Sequence, residues 1–132
     1  MSTNLKKIAI MGASELQKPL ILKAKEIGVE THVFAWPYDA DGKNLADFFY
    51  PISLTDCDEI LAKCRMIDVD GACSIASDLG NSTASYVANH IGLIYNSAKT
   101  VACSTNKILM HRCFIDHVVS SPKFVELDSA TD

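Results

Sequence analysis

The segment Lys6-Lys7-Ile8-Ala9-Ile10-Met11-Gly12-Ala13-Ser14-Glu15-Leu16 constrains the fold more than any other part of the chain, because it joins a strand to a helix through a single glycine. Ile8 to Met11 is apolar at every position, as a strand is when helices cover both faces of its sheet. Gly12 permits a tight turn and close approach of the backbone. Leu16, Leu20, Ala24 and Ile27 then recur at helical spacing and predict the inward face of the first helix. Pro19 belongs in the first turn of that helix, and Gly28 is placed to end it. Backbone amides at such a helix start lack intrahelical partners and attract anions.

The remaining chain repeats this theme. Glu30 to Ala35 reads as a second strand, followed by a loop, Trp36-Pro37-Tyr38-Asp39-Ala40-Asp41-Gly42, whose Pro, Asp and Gly residues suit turns. Phe48 to Ser53 reads as a short third strand. Thr55-Asp56-Cys57-Asp58 has the Ser/Thr-x-x-acid form of a helix start, ahead of Ile60, Leu61, Cys64 and Ile67. Val69 to Ile75 predicts a fourth strand, Ser82 to His90 a third helix with Val87, Ala88 and Ile91 inward, and Leu93 to Tyr95 a brief fifth strand. Two further helical segments follow, Ala98 to Cys103 and Asn106 to His117, each preceded by Ser or Thr caps. After Ser120-Ser121-Pro122, Lys123 to Leu127 has the composition of a strand start, and the chain stops at Ser129-Ala130-Thr131-Asp132 as though cut from something longer. Strands alternating with helices predict an α/β, Rossmann-like, mostly parallel sheet flanked by helices.

Composition narrows the function. A chain of 132 residues that is 48% hydrophobic suffices for one core and leaves little room for a second. Its net charge of −4 gives no general attraction to phosphate backbones or anionic membranes, so neither nucleic acid nor membrane is expected as a partner. The apolar runs fall far short of the roughly 20 residues that span a bilayer, and the N-terminus lacks the apolar core of a signal peptide. A soluble, cytoplasmic protein is the expectation. Cys57, Cys64, Cys73, Cys103 and Cys113 form an odd set without C-x-x-C spacing, and read as reduced core thiols.

Several chemistries are disfavoured by spacing. The glycine turn is not a G-x-G-x-x-G fingerprint, because Ala13, Ser14 and Leu16 follow Gly12 without a third glycine. A standard NAD site is therefore not expected. The histidines are scattered with no i, i+4 pair beside an acid, so no metal site is expected, and no G-x-S-x-G elbow or Ser/His/acid set stands out. Candidate binding residues gather instead where two strands end. Glu15 is either a charge stabilising a helix start or a carboxylate that receives a ligand amine or hydroxyl. Asp78, in Ser77-Asp78-Leu79-Gly80-Asn81, falls at the same carboxyl edge of the sheet, where ligands of parallel sheets collect. It too has an alternative: Asp78, Asn81 or Ser82 caps the next helix. Lys107 and Arg112 form either a solvated basic face or part of a site.

Taken in order, these segments resemble the N-terminal, pre-ATP-grasp domain of ATP-grasp ligases, the superfamily of glycinamide ribonucleotide synthetase, biotin carboxylase and the carbamoyl phosphate synthetase large subunit. The resemblance spans nearly the whole chain. It rests on Ile10-Met11-Gly12-Ala13-Ser14-Glu15-Leu16, Leu45-Ala46-Asp47-Phe48-Phe49-Tyr50, Val69-Asp70-Gly71 with Ser77-Asp78, Gly92-Leu93, and Asn106-Lys107-Ile108-Leu109-Met110 with Arg112, ahead of Pro122-Lys123-Phe124. It implies a domain over residues 1–118 with C-terminal helices, and over 119–132 the start of the missing ATP-grasp lobes. It also implies carboxylate–amine ligase chemistry, in which ATP converts a carboxylate to an acyl phosphate that an amine attacks while Mg²⁺ neutralises the phosphates. The lobes that follow would hold most of the ATP and the metal ligands.

The fragment alone is therefore expected to be inactive, with no catalytic residue, metal or cofactor of its own. Its partners in the longer protein would be a small-molecule carboxylate and ATP, and a homodimer is compatible with the resemblance. Gly12, Ala13, Ser14, Glu15, Leu16 and Asp78 are the substrate-binding residues it implies, and Lys107 the ATP-binding one. Three positions depart from the family pattern: Ser14 replaces a second glycine, Asn106 replaces an Asp, and Val118 stands where Gly is common. The alternative is a free-standing Rossmann-like small-molecule or nucleotide-binding regulatory module. An oxidoreductase fragment is disfavoured by the missing glycines.

Overall fold

The computed structural model describes residues 5–127. Within them, β1 (Lys7–Met11), β2 (Glu30–Phe34), β3 (Phe48–Tyr50) and β4 (Gly71–Cys73) form one parallel sheet in the order β3-β2-β1-β4. Helices α1 (Lys18–Glu26), α2 (Cys57–Ile67) and α3 (Asp78–Ile91) follow β1, β3 and β4, and α4 (Ala98–Thr105) and α5 (Lys107–Asp116) complete the described fold. The α/β, Rossmann-like expectation is met. β1 lies between two neighbours, with Ile10 opposite both Val33 and Cys73. Its uniformly apolar sequence follows from that central position.

Alternate side chains of β1 enter two separate cores. Ile10 packs with Ile21 and Ala24 of α1 and with Val33, while Ala9 and Met11 pack with Phe34, Ile60, Leu61, Ala84 and Val87 from the other side. Each fully buried side chain of this size contributes about 1.5 to 3 kcal/mol on transfer from water. Glycine and proline fall where expected. Pro19 is in the first turn of α1, and Gly28 takes φ +76° just after its end, with the Val29 amide closing on the Ala24 carbonyl at 2.9 Å.

The structure corrects the inward face of the first helix. Leu16 and Ile27 are 61% and 64% exposed, whereas Gln17, Ile21 and Ala24 are buried. The cause is local. Glu15–Gln17 forms a 3₁₀ turn before α1 begins, which offsets the early residues from the α-helical spacing, and Ile27 is already the residue that caps the end.

Other boundaries also move. α2 starts without a side-chain cap, because the Thr55 hydroxyl pairs with Ser53 at 2.8 Å and Asp58 accepts from the Tyr86 hydroxyl at 2.6 Å. α3 begins at Asp78 rather than Ser82, and β4 is only Gly71–Cys73. Leu93 to Tyr95 is not a strand: Gly92 adopts φ +76°, the Leu93 amide folds back onto the Ala88 carbonyl at 2.8 Å, and Tyr95 is tied to Asn81. Those contacts anchor the segment to α3 instead of the sheet. α4 is capped by Ser97 as expected, but α5 is capped by Asn106, whose side chain accepts from the Ile108 and Leu109 amides at 3.0 and 3.1 Å. Lys123 to Leu127 makes no ladder hydrogen bonds, and residues 128–132 lie outside the described residues.

Among the five free cysteines, Cys64 is buried and the other four are half-buried. Burial pushes the Cys64 thiol up to about 12 and the Cys73 thiol up to about 11. Both are protonated and unreactive at neutral pH.

Candidate functional site

Three loops meet at the carboxyl edge of the sheet, and short side chains tie them together. After β1, Gly12 has φ +109° and donates its amide to the Phe34 carbonyl at 2.8 Å. A side chain at position 12 is excluded twice over, by that conformation and because its Cβ would lie 3.0 Å from the Gln17 side chain. The Ala13 carbonyl accepts from the Gly42 amide at 2.7 Å, which closes the loop after β2 against the turn. Ser74, following β4, donates its hydroxyl to the Met11 carbonyl at 2.7 Å.

Gln17 is the residue at the centre of this arrangement. Its side-chain oxygen accepts from the Ser14 amide at 3.0 Å and the Ser14 hydroxyl at 2.6 Å, and its side-chain nitrogen donates to the Ile75 carbonyl at 2.7 Å. The turn after β1 and the loop after β4 are thereby joined through one buried amide. Sequence reading passed over Gln17, although Ser14-Glu15-Leu16-Gln17 carries the spacing of a capping box. Gly80 was also missed. It packs α3 against the strand ends so closely that an added Cβ would fall 2.3 Å from Ser74 Oγ.

The expected anion-binding character of the first turn is reduced by these bonds. The amides of Gly12, Ser14, Leu16 and Gln17 are taken by Phe34, Gln17, Ser14 Oγ and the Ser14 carbonyl. Glu15 is exposed and pairs with Lys18, whose pKa that hydrogen bond raises. Leu16 projects into solvent beside it, while Ala13 is buried.

Asp78 is placed differently. It opens the first turn of α3, capped by Ser77, whose hydroxyl accepts from the Gly80 amide at 3.0 Å. With Ser74, Ile75, Ala76, Ser77 and Asn81 it lines an open cavity of about 440 Å³. Ala76, at the bend of this loop, takes φ +54°, a left-handed conformation unusual for alanine. Asn81 is oriented by the Tyr95 hydroxyl at 2.7 Å, and burial first, then Cys73, raises the Tyr95 pKa, which keeps that hydroxyl a donor. Gly12, Ser14 and Glu15 do not line this cavity; Gly12 and Ser14 touch the Gln17 side chain that reaches its wall at Ile75, and Glu15 does not. A second, more apolar hollow of about 340 Å³ lies between α3 and α4 and holds no carboxylate.

Lys107 is exposed in the first turn of α5 and makes no ion pair among the described residues. α5 packs on α4, and Lys107 does not line the Asp78 cavity. Among the described residues, no three His, Cys, Asp or Glu side chains are gathered as a metal site would need, and no helix is long and apolar enough to cross a membrane.

No protein-family model and no curated protein sequence matches the chain. Solved structures do. Phosphoribosylglycinamide synthetase from Anaerococcus prevotii superposes on 87% of the chain with a TM-score of 0.76 and 25% identity, the match spanning 30% of that protein. N5-carboxyaminoimidazole ribonucleotide synthetase from Thermotoga maritima gives 0.73 and 20% identity over 90% of this chain and 33% of its own. The L-amino acid ligase from Bacillus licheniformis gives 0.76 and 15% identity over 96% of this chain and 35% of its own. The chain thus spans about a third of the proteins it superposes on. All three are ATP-grasp superfamily ligases, and the resemblance read from the sequence is matched by the structure over most of the chain.

Proposed function

We propose that the chain is the substrate-side N-terminal domain of an ATP-dependent carboxylate–amine ligase that works through an acyl phosphate. The observation that carries this reading is the superposition of 87% of the chain on a phosphoribosylglycinamide synthetase. In this reading the loops after β1 and β4 receive the carboxylate substrate, with Gly12, Ala13, Ser14, Glu15, Leu16 and Asp78 around it. The start of α3 offers amides to the carboxylate, and Glu15 and Asp78 select a ligand that also carries an amine or hydroxyls.

Residues 1–118 form the domain, and 119–132 lead into further lobes. Those lobes supply ATP binding and Mg²⁺, with Lys107 reaching the nucleotide phosphates from α5. In this reading the Mg²⁺ ligands come from those lobes and the ATP phosphates, and no residue of this chain is assigned to the metal. ATP supplies the phosphoryl group when bound. What this chain contributes is binding and orientation of the substrate.

Steady-state kinetics of the longer protein test the assignment. Glu15→Gln and Asp78→Asn raise KM for the carboxylate substrate, and the 132-residue chain alone turns over no ATP. Folded variants that keep the wild-type KM would remove both acids from the site.

A further inference from the structure

We propose that Gln17 is a positioning residue of this site, holding the β1 turn and the β4–α3 loop in the one relative arrangement in which both can grip the same small molecule. The proposal rests on the reading above that the two loops share a ligand. The geometry is specific to a primary amide. Gln17 is only 3% exposed, and every polar atom of its side chain is used across the two loops. The oxygen accepts twice from Ser14, and the nitrogen donates to Ile75, the residue before the left-handed Ala76 that bends the chain into the cavity wall. Gly12 makes room for it, since a Cβ there would meet the Gln17 carboxamide carbon at 3.0 Å.

Ile75 and Asp78 both line the cavity, so a displacement of the Ile75 carbonyl moves the wall that would face a ligand. Ser14, on the other end of the bridge, belongs to the opposite loop. The Ser74 hydroxyl, bonded to the Met11 carbonyl at 2.7 Å, ties the strand ends, and Gln17 ties the loops beyond them. A carboxylate there accepts from Ser14 as the amide does, yet places a lone pair against the Ile75 carbonyl unless it carries a proton. A methionine fills the same space and does neither.

These three side chains separate positioning from packing. The probe is L-serine, a carboxylate bearing both an amine and a hydroxyl, titrated into the ¹⁵N-labelled 132-residue chain at neutral pH and again at about pH 4, near the ordinary carboxylate pKa. Wild-type protein measured at each pH is the reference for every other effect of acid. We expect L-serine to shift amides in both loops of the wild type with one dissociation constant. Gln17→Glu weakens binding on the order of tenfold at neutral pH, about the loss of one well-made hydrogen bond, and recovers toward wild type in acid. Gln17→Met stays weak at both pH values, while its unfolding transition remains cooperative.

Wild-type affinity in both variants would overturn the role of Gln17 and leave the shared site standing. Equal weakness of both variants at both pH values would also overturn it, reducing Gln17 to a packing residue. Shifts confined to one loop of the wild type, or none, would overturn the shared-ligand reading itself.

Discussion

Ser74 donates its hydroxyl to the Met11 carbonyl at 2.7 Å, and Gly80 in the first turn of α3 lies against that bond with no space for a side chain. Gly80→Ala places a Cβ 2.3 Å from Ser74 Oγ and 3.0 Å from the Met11 carbonyl oxygen, and is expected to destabilise by about 1 to 3 kcal/mol. Ser74→Ala leaves the Met11 carbonyl without that partner and costs about 1 to 3 kcal/mol. Because Ser74→Ala also removes the nearest clashing atom, the double variant is expected to cost less than the two losses added together. Urea denaturation of the four proteins measures the cycle, and strict additivity would contradict the contact.

Val118 is the clearest site for a gain in stability. It follows α5 with φ +57°, its own amide bonded to the Ile115 carbonyl at 3.1 Å and the Val119 amide to Phe114 at 2.8 Å. The helix therefore ends in a left-handed residue that is β-branched, where glycine is the favoured choice. Val118 is 93% exposed, so little packing is lost on replacement. Val118→Gly is expected to stabilise by about 0.5 to 1 kcal/mol, the relief of left-handed strain less the entropy of glycine. An unchanged or lower melting temperature would contradict it.

Acid is expected to weaken the link between β2 and the segment leading into β3. Burial pushes the Asp47 pKa up, but the Thr31 amide and the Lys25 ammonium, with the Thr31 hydroxyl, hold it below the ordinary carboxylate value. Thr31 donates to Asp47 from its amide at 2.9 Å and its hydroxyl at 2.8 Å, and Lys25 lies 2.9 Å away. A depressed carboxylate stabilises the fold above its unfolded pKa, and that contribution is lost as pH falls through the folded value. The wild type should therefore exceed Asp47→Asn in melting temperature at neutral pH. The difference should narrow below about pH 4. A gap independent of pH would show that the charge of Asp47 is not what stabilises this corner.

The parallel sheet was legible because Ile8 to Met11 is apolar on both faces, and because Pro19 and Gly28 mark the limits of α1. The inward face of that helix was not. Hydrophobic periodicity gives weight to Leu16 and none to Gln17, yet Gln17 is buried by three hydrogen bonds that no apolar count registers. The strand expected over Leu93 to Tyr95 failed for a related reason, since Leu93 and Tyr95 pack against the core from a loop held by α3. At the site, Asp78 could be placed at a strand end from its position in the chain. The Ser14–Gln17 spacing was visible as well, but the contact between Gln17 and Ile75, 58 residues apart, belongs to the fold alone.

Lys107 separates two roles for α5. If its ammonium reaches nucleotide phosphates in the longer protein, Lys107→Ala raises KM for ATP or lowers kcat, with KM for the carboxylate little changed. A solvated lysine leaves all three constants unaltered.

The most direct measurement follows one oxygen atom. An acyl phosphate passes a carboxylate oxygen to the phosphate that is released when an amine attacks, so a substrate labelled with ¹⁸O in its carboxylate should deliver one labelled oxygen to inorganic phosphate in each turnover. The protein encoded by the complete reading frame is incubated with ATP, Mg²⁺ and carboxylate-labelled candidate substrates bearing an amine or hydroxyls, each supplied with an amine nucleophile. Carboxylate-dependent ADP formation with ¹⁸O in the phosphate is the expected result. A reading frame that ends at Asp132, or ADP formation whose phosphate carries no label from any carboxylate that stimulates it, would contradict the ligase reading.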